Sequence, residues 1–174
     1  VVVDNRAGGS GLVGTRSFIK SAPDGYTLFL GHTGSISINP SLYANSGFEP
    51  RKDFTPIGLL ASMPVALLAN PSLPAKNVKE LVLLAKAKPG QIDYASSGNG
   101  STQHLTGALF CSMAGIRMTH IPCRGSGPVT ADLRGGQVHV AFPGIAGMLP
   151  HIKSGRVRAL AVTRIKRAPA APEL

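Results

Sequence analysis

The residues best suited to chemistry lie in Ala95-Ser-Ser-Gly-Asn-Gly-Ser-Thr-Gln-His104. Ser96, Ser97, Ser101 and Thr102 bring four hydroxyls into seven residues, with Gly98 and Gly100 between them. Glycine permits positive φ and lets another molecule approach the main chain. Ser101 or Thr102 is a good N-cap for the apolar-periodic run Leu105, Leu109, Met113 that follows. The first turn of such a helix offers free N–H groups and about half a positive charge. Hydroxyls and amides together make a seat for an anion such as a carboxylate. Gly31-His-Thr-Gly-Ser35 repeats the design, and His32 there is within reach of a ligand.

Other chemistries fit less well. Ser101 and His104, three apart on a helix, share a face and invite a hydrolase reading. The GxSxG elbow and a nearby carboxylate to orient His104 are both missing. Gly9-Ser-Gly-Leu-Val-Gly14 matches GxGxxG, but five residues separate it from Val3, and Asp24 comes too early for a ribose-binding acid. The eight acidic residues are scattered, without the spacing of an acid/base couple or a metal cage. Cys111 and Cys123 form no CxxC, and His120, His139 and His151 read as structural. No metal, no cofactor and no turnover are expected.

The elements that must position these loops alternate. Strand patterns occur at Val1–Val3, Tyr26–Leu30, Pro56–Ser62, Pro64–Ala69, Ile92–Ala95, Met118–Pro122, Val138–Phe142 and Val157–Thr163. Between several of them lie helical patterns, the clearest being Asn77–Lys88, with Val78, Leu81, Val82 and Ala85 inward and Lys79, Glu80, Lys86 and Lys88 outward. The alternation predicts an α/β fold with mainly parallel sheets. Ligands of such sheets sit beyond the carboxyl ends of strands, where polar loops converge. The break at Ala69–Pro74 divides the two polar loops and places them on two lobes facing one cleft.

The chain has 174 residues, 43% of them hydrophobic, and a net charge of +10. It has no Lys/Arg run of five and only 5% aromatic residues, so nucleic-acid binding is not expected. No run of 18 apolar residues is present. The start on Val1-Val2-Val3 and the end after Arg167-Ala-Pro-Ala-Ala-Pro-Glu-Leu174 suggest a fragment.

Several stretches together resemble one family. They are Asn5-Arg-Ala-Gly-Gly-Ser-Gly11, Ala22-Pro-Asp-Gly-Tyr-Thr-Leu28, Ile38-Asn-Pro-Ser-Leu-Tyr43 and Lys52-Asp-Phe-Thr-Pro56. Tyr94-Ala-Ser-Ser-Gly-Asn-Gly-Ser101 with His104-Leu105, Gly135-Gly-Gln-Val138, Leu149-Pro-His-Ile-Lys-Ser-Gly155 and Arg158-Ala-Leu-Ala-Val-Thr163 complete the set. The chain resembles the Bug (TctC-like) family, extracytoplasmic solute-binding receptors of tripartite tricarboxylate transporters.

The resemblance implies a type II periplasmic binding-protein fold whose two lobes close on a carboxylate. It implies a partial lobe one at 1–67, lobe two at 68–162 and a truncated return segment at 163–174. The segments crossing between lobes are expected near Leu67–Asn70 and Ala161–Thr163. Ser96, Gly98, Ser101 and Thr102 would hold one carboxylate from lobe two, with His104 at the cleft wall. Thr33, Gly34 and Ser35 would contribute from lobe one. The implied partners are a small organic carboxylate and the permease subunits, and the implied location is the periplasm. Against the family pattern about 40 leading and 120 trailing residues are missing, including the signal peptide and a glycine-rich clamp. Half a lobe would expose apolar strands and favour self-association. Cys123 stands where the family usually has Tyr, and Pro143 where an acid is common. An enzyme using His104 or a cofactor is the alternative.

Overall fold

The computed structural model describes residues 1–164. One five-stranded sheet organises it: β1 (Ala66–Ala69), β2 (Asp93–Ser96), β3 (Thr119–Pro122), β4 (Val140–Ala141) and β5 (Arg158–Val162), in the order β3-β2-β4-β1-β5. β2 runs parallel to both β3 and β4, while β1 is antiparallel to β4 and β5. Leu67 pairs with Ala161 and Ala66 with Val162, so the two expected crossing segments lie side by side.

Successive strand residues face opposite sides of the sheet, as the period of two requires. Leu68, Ala95 and Ala141 join a core under helix α6 (Ser126–Gly135), with Val129 and Leu133. Leu67, Tyr94 and Val140 join a second core with Leu81 and Ala85 of α4 (Val78–Ala87). Helices thus cover both faces. α4 starts where the sequence predicts: Asn77 Oδ1 accepts from Glu80 N–H, and Glu80 reaches back to Lys76 N–H.

Helix α5 (Thr102–Ala114) lies unusually close to β2. A methyl group on Gly107 would stand 2.3 Å from the Tyr94 ring. Gly107→Ala is therefore expected to lower stability by about 1–3 kcal/mol through overpacking. Thermal unfolding checks this; an unchanged midpoint would mean that α5 rides further from the sheet.

The first 64 residues depart from expectation. Val1–Val3, Tyr26–Leu30 and Pro56–Ser62 form no strands. A strand needs a neighbouring backbone to take up its N–H and C=O groups, and none does so among the described residues. Val1, Val2, Val3, Tyr26, Leu28, Leu30, Ile57, Leu59 and Leu60 all remain exposed. The loop at Gly31–Ser35 consequently follows coil, not a strand, and enters a π-helical turn (Gly34–Ile38) continued by α2 (Asn39–Leu42). This region is held by aromatic packing. Phe18, at the end of α1 (Leu12–Phe18), stacks on Phe29 and on Phe54, which follows α3 (Pro50–Asp53), at 5.2 and 5.7 Å between ring centres. The expected return segment falls largely on residues 165–174, outside the described residues.

Candidate functional site

β2 delivers Ser96 into the loop at its carboxyl end, and α5 begins six residues later. Several polar groups of the loop have internal partners. Ser96 is fully buried; its Oγ accepts from Gly98 N–H and lies 2.7 Å from His120 Nε2. Ser97 N–H donates to Gln103 Oε1, and Gly100 N–H donates to His104 Nδ1. Ser101 is the N-cap, its Oγ accepting from His104 N–H at 3.2 Å. The amides of Asn99, Thr102 and Gln103 have no protein partner among the described residues. Gly98 and Gly100 adopt φ 129° and 79°, conformations that favour glycine.

The second loop meets this one. A methyl group on Gly34 would stand 3.6 Å from Thr102 N, so Gly34 faces the first amide of α5. Ser35 is fully buried and exchanges hydrogen bonds with His32, while Thr33 is exposed. The structure thus brings Gly34 against Thr102 and keeps the hydroxyls of Ser35 and Ser96 inside.

Ser10, Asn39 and Tyr43 also meet the Gly98–Gly100 loop, and sequence reasoning missed them. The carbonyl of Asn99 accepts from Ser10 Oγ and from Tyr43 OH. Asn39 Nδ2 donates to Ser10 O at 3.0 Å. Ser10 is the middle residue of the Gly9-Ser10-Gly11 turn, so the glycine-rich motif packs a serine against Gly98. Ser10 is itself left-handed, at φ 53°.

Behind the loop His120, expected to be structural, bonds Ser96. Its ring stacks on His104 at 4.1 Å and on Tyr94 at 5.0 Å. Parallel pairing sets His120 opposite Tyr94, two residues before Ser96, a register that the sequence alone does not show. Burial, then the neighbouring His104, pull His120 down to about 4, and burial lowers His104 as well. Both rings are therefore neutral at pH 7. Among the described residues Arg6 forms an ion pair with Asp4 and the His139 ring hydrogen-bonds Asp93, neither of them with a group of this loop. No group of three or more metal-ligating side chains occurs among the described residues. Cys111 and Cys123 are free thiols.

The tripartite tricarboxylate transporter family receptor profile, TctC, matches residues 1–174. Protein BugT of Bordetella pertussis is 36% identical over all of this chain and 55% of its own length. The solved periplasmic binding protein BugD is 38% identical with TM-score 0.94, over all of this chain and 58% of that one. The structure of R. palustris Rpa4515 with adipate is 37% identical with TM-score 0.92, over 95% of this chain and 56% of that one. The chain spans about half the length of the curated relatives it matches. It belongs to the tripartite tricarboxylate transporter receptor (TctC) family.

Proposed function

We propose that this chain is part of a periplasmic receptor that captures a small organic carboxylate and presents it, unchanged, to membrane permease subunits. Residues 1–67 would belong to one lobe and 68–162 to the other. The observation that carries the reading is the pair of unpartnered amides, Thr102 N–H and Gln103 N–H, at the start of a 13-residue helix facing Gly34. Those donors and the helix dipole favour a carboxylate oxygen there. Ser101 Oγ accepts from His104 N–H and keeps its own proton to donate; the hydroxyls of Thr102 and Thr33 would add to the seat. Ser96, Gly98, Ser35 and His104 would shape the seat from behind.

Two further features support capture without turnover. His104 Nδ1 is occupied by a backbone N–H and has no carboxylate partner among the described residues, which is not the arrangement of a general base. Among the described residues no acidic side chain bonds to either loop, so none of them offers an ammonium group a counter-charge. This favours simple carboxylates over amino acids, in line with adipate in the Rpa4515 structure. No helix of the described residues is long and apolar enough to cross a membrane.

Thermal shift against succinate, adipate, citrate, aspartate and glutamate tests the reading. A ligand at about a hundred times its Kd adds about 2.7 kcal/mol of stability. Adipate or succinate should raise the midpoint, and the amino acids should do so less. No shift with any of the five would sink the proposal.

A further inference from the structure

We propose that His104 and His120 are positioning residues, a stacked neutral pair that fixes the shape of the Gly98–Gly100 loop and so aims the Thr102 and Gln103 amides. This rests on the carboxylate reading for its functional consequence, but the positioning itself is separately testable.

Each ring holds one end of the loop. His104 Nδ1 takes the Gly100 N–H, and His120 Nε2 holds Ser96 Oγ, which takes the Gly98 N–H. Gly98 and Gly100 are the two residues at positive φ, the places where the loop could most readily take another shape. The rings lie 4.1 Å apart with planes 21° from parallel, so each limits the movement of the other. By occupying Gly100 N–H, His104 also removes that amide from ligand contact.

The arrangement requires neutral rings. Protonating His104 at Nδ1 turns the acceptor of Gly100 N–H into a second donor, and a charge on both stacked rings is repulsive. The groups facing the pair offer no relief. Tyr94 of β2 stacks on His120 with its hydroxyl pushed up to about 12, first by burial and then by Cys111. Burial raises the Cys111 thiol of α5. Neither ring is salt-bridged among the described residues. With His104 below its ordinary 6.5 and His120 near 4, the loop should loosen as pH falls through that window, and ligand affinity should fall with it.

The test uses His104→Ala, His120→Ala, His104→Asn and His120→Gln. Asn places an acceptor where Nδ1 stood, and Gln a polar group where Nε2 stood; neither titrates. In the ligand-free protein, hydrogen exchange at the Gly100 amide should speed up at least about fivefold in His104→Ala and recover in His104→Asn. Adipate should bind each alanine variant about fivefold more weakly at pH 7, with the conservative variants near wild type. The ratio of wild-type to conservative-variant Kd should rise between pH 6.5 and 4, a comparison in which the ligand's own titration cancels. Unchanged Gly100 exchange in His104→Ala, or a pH-independent ratio, would overturn the proposal. Should an alanine variant fail to fold, the ratio measured on the conservative pair decides. Absence of adipate binding to wild type would count against the carboxylate reading alone, with Gly100 exchange still deciding the positioning role.

Discussion

Gly100→Ala is expected to weaken carboxylate binding at least about tenfold while leaving the sheet folded. Gly100 has φ 79°, where an alanine costs about 1–2 kcal/mol. Its new methyl group would stand 2.6 Å from Leu42 Cδ2 and 3.0 Å from Asn39 Oδ1. Leu42 is half exposed and can swing away, but Asn39 is fully buried and bonded to Ser10. The loop must therefore shift, and the bonds from Gly100 to His104 and from Asn99 to Ser10 and Tyr43 go with it. Neither core cluster contains Gly100, so circular dichroism should be unchanged. Calorimetric titration with adipate should show at least about a tenfold loss, since strain and broken hydrogen bonds together exceed 1.4 kcal/mol. Gly115→Ala is the control. That glycine, at φ 60°, ends α5 with nothing within 4 Å of the added methyl. It pays a similar backbone cost far from the loop, so its binding should match wild type. A Gly100→Ala protein that bound adipate normally would mean that the ligand does not sit on this loop.

The sequence made the second half of the fold legible because its elements complete themselves. Asn77 and Glu80 cap α4, Gly90, Gly115 and Gly136 end segments at positive φ, and strands β1 to β5 find partners within the chain. The first 64 residues carry equally clear strand patterns that form none. Tyr26–Leu30 has the right residues and lacks a ladder neighbour among the described residues, and pairing is a property that a local pattern does not contain.

The candidate site divides along the same line. Ser101 as N-cap follows from local rules, and so does the glycine loop before it. Which amides stay open does not. Only the fold shows that Gln103 takes Ser97 N–H, His104 takes Gly100 N–H, and Thr102 N–H is left facing Gly34. His120 and Ser10 were hidden for a related reason. Each acts on the loop from a distant element, and Ser10 sat inside a glycine-rich motif weighed only as a poor match to a nucleotide-binding fingerprint.

Ser10→Ala combined with Tyr43→Phe is expected to speed ligand release about tenfold with little change in the association rate. Both side chains donate to the carbonyl of Asn99, so with the lobes divided after residue 67, as proposed, these are bonds between lobes. They come from separate elements, Ser10 from the glycine turn before α1 and Tyr43 from the end of α2. Each contributes about 0.5–1.5 kcal/mol to the closed form and nothing once the lobes part. A bond that exists only after closure slows opening, and opening sets the rate of release. Ser10 is further held in its left-handed conformation by Asn39 Nδ2 on its carbonyl, so the hydroxyl is already aimed at Asn99 before closure. Stopped-flow displacement of bound adipate measures the release rate, and small-angle scattering of the ligand-free variant should show a larger radius of gyration than wild type. The Thr102 and Gln103 amides are untouched by either substitution, so a weaker complex with unchanged release would mean that Ser10 and Tyr43 shape the seat and do not hold the lobes together. A receptor that must also hand its ligand on requires a latch of this modest strength, because each added kcal/mol of closure slows delivery about fivefold.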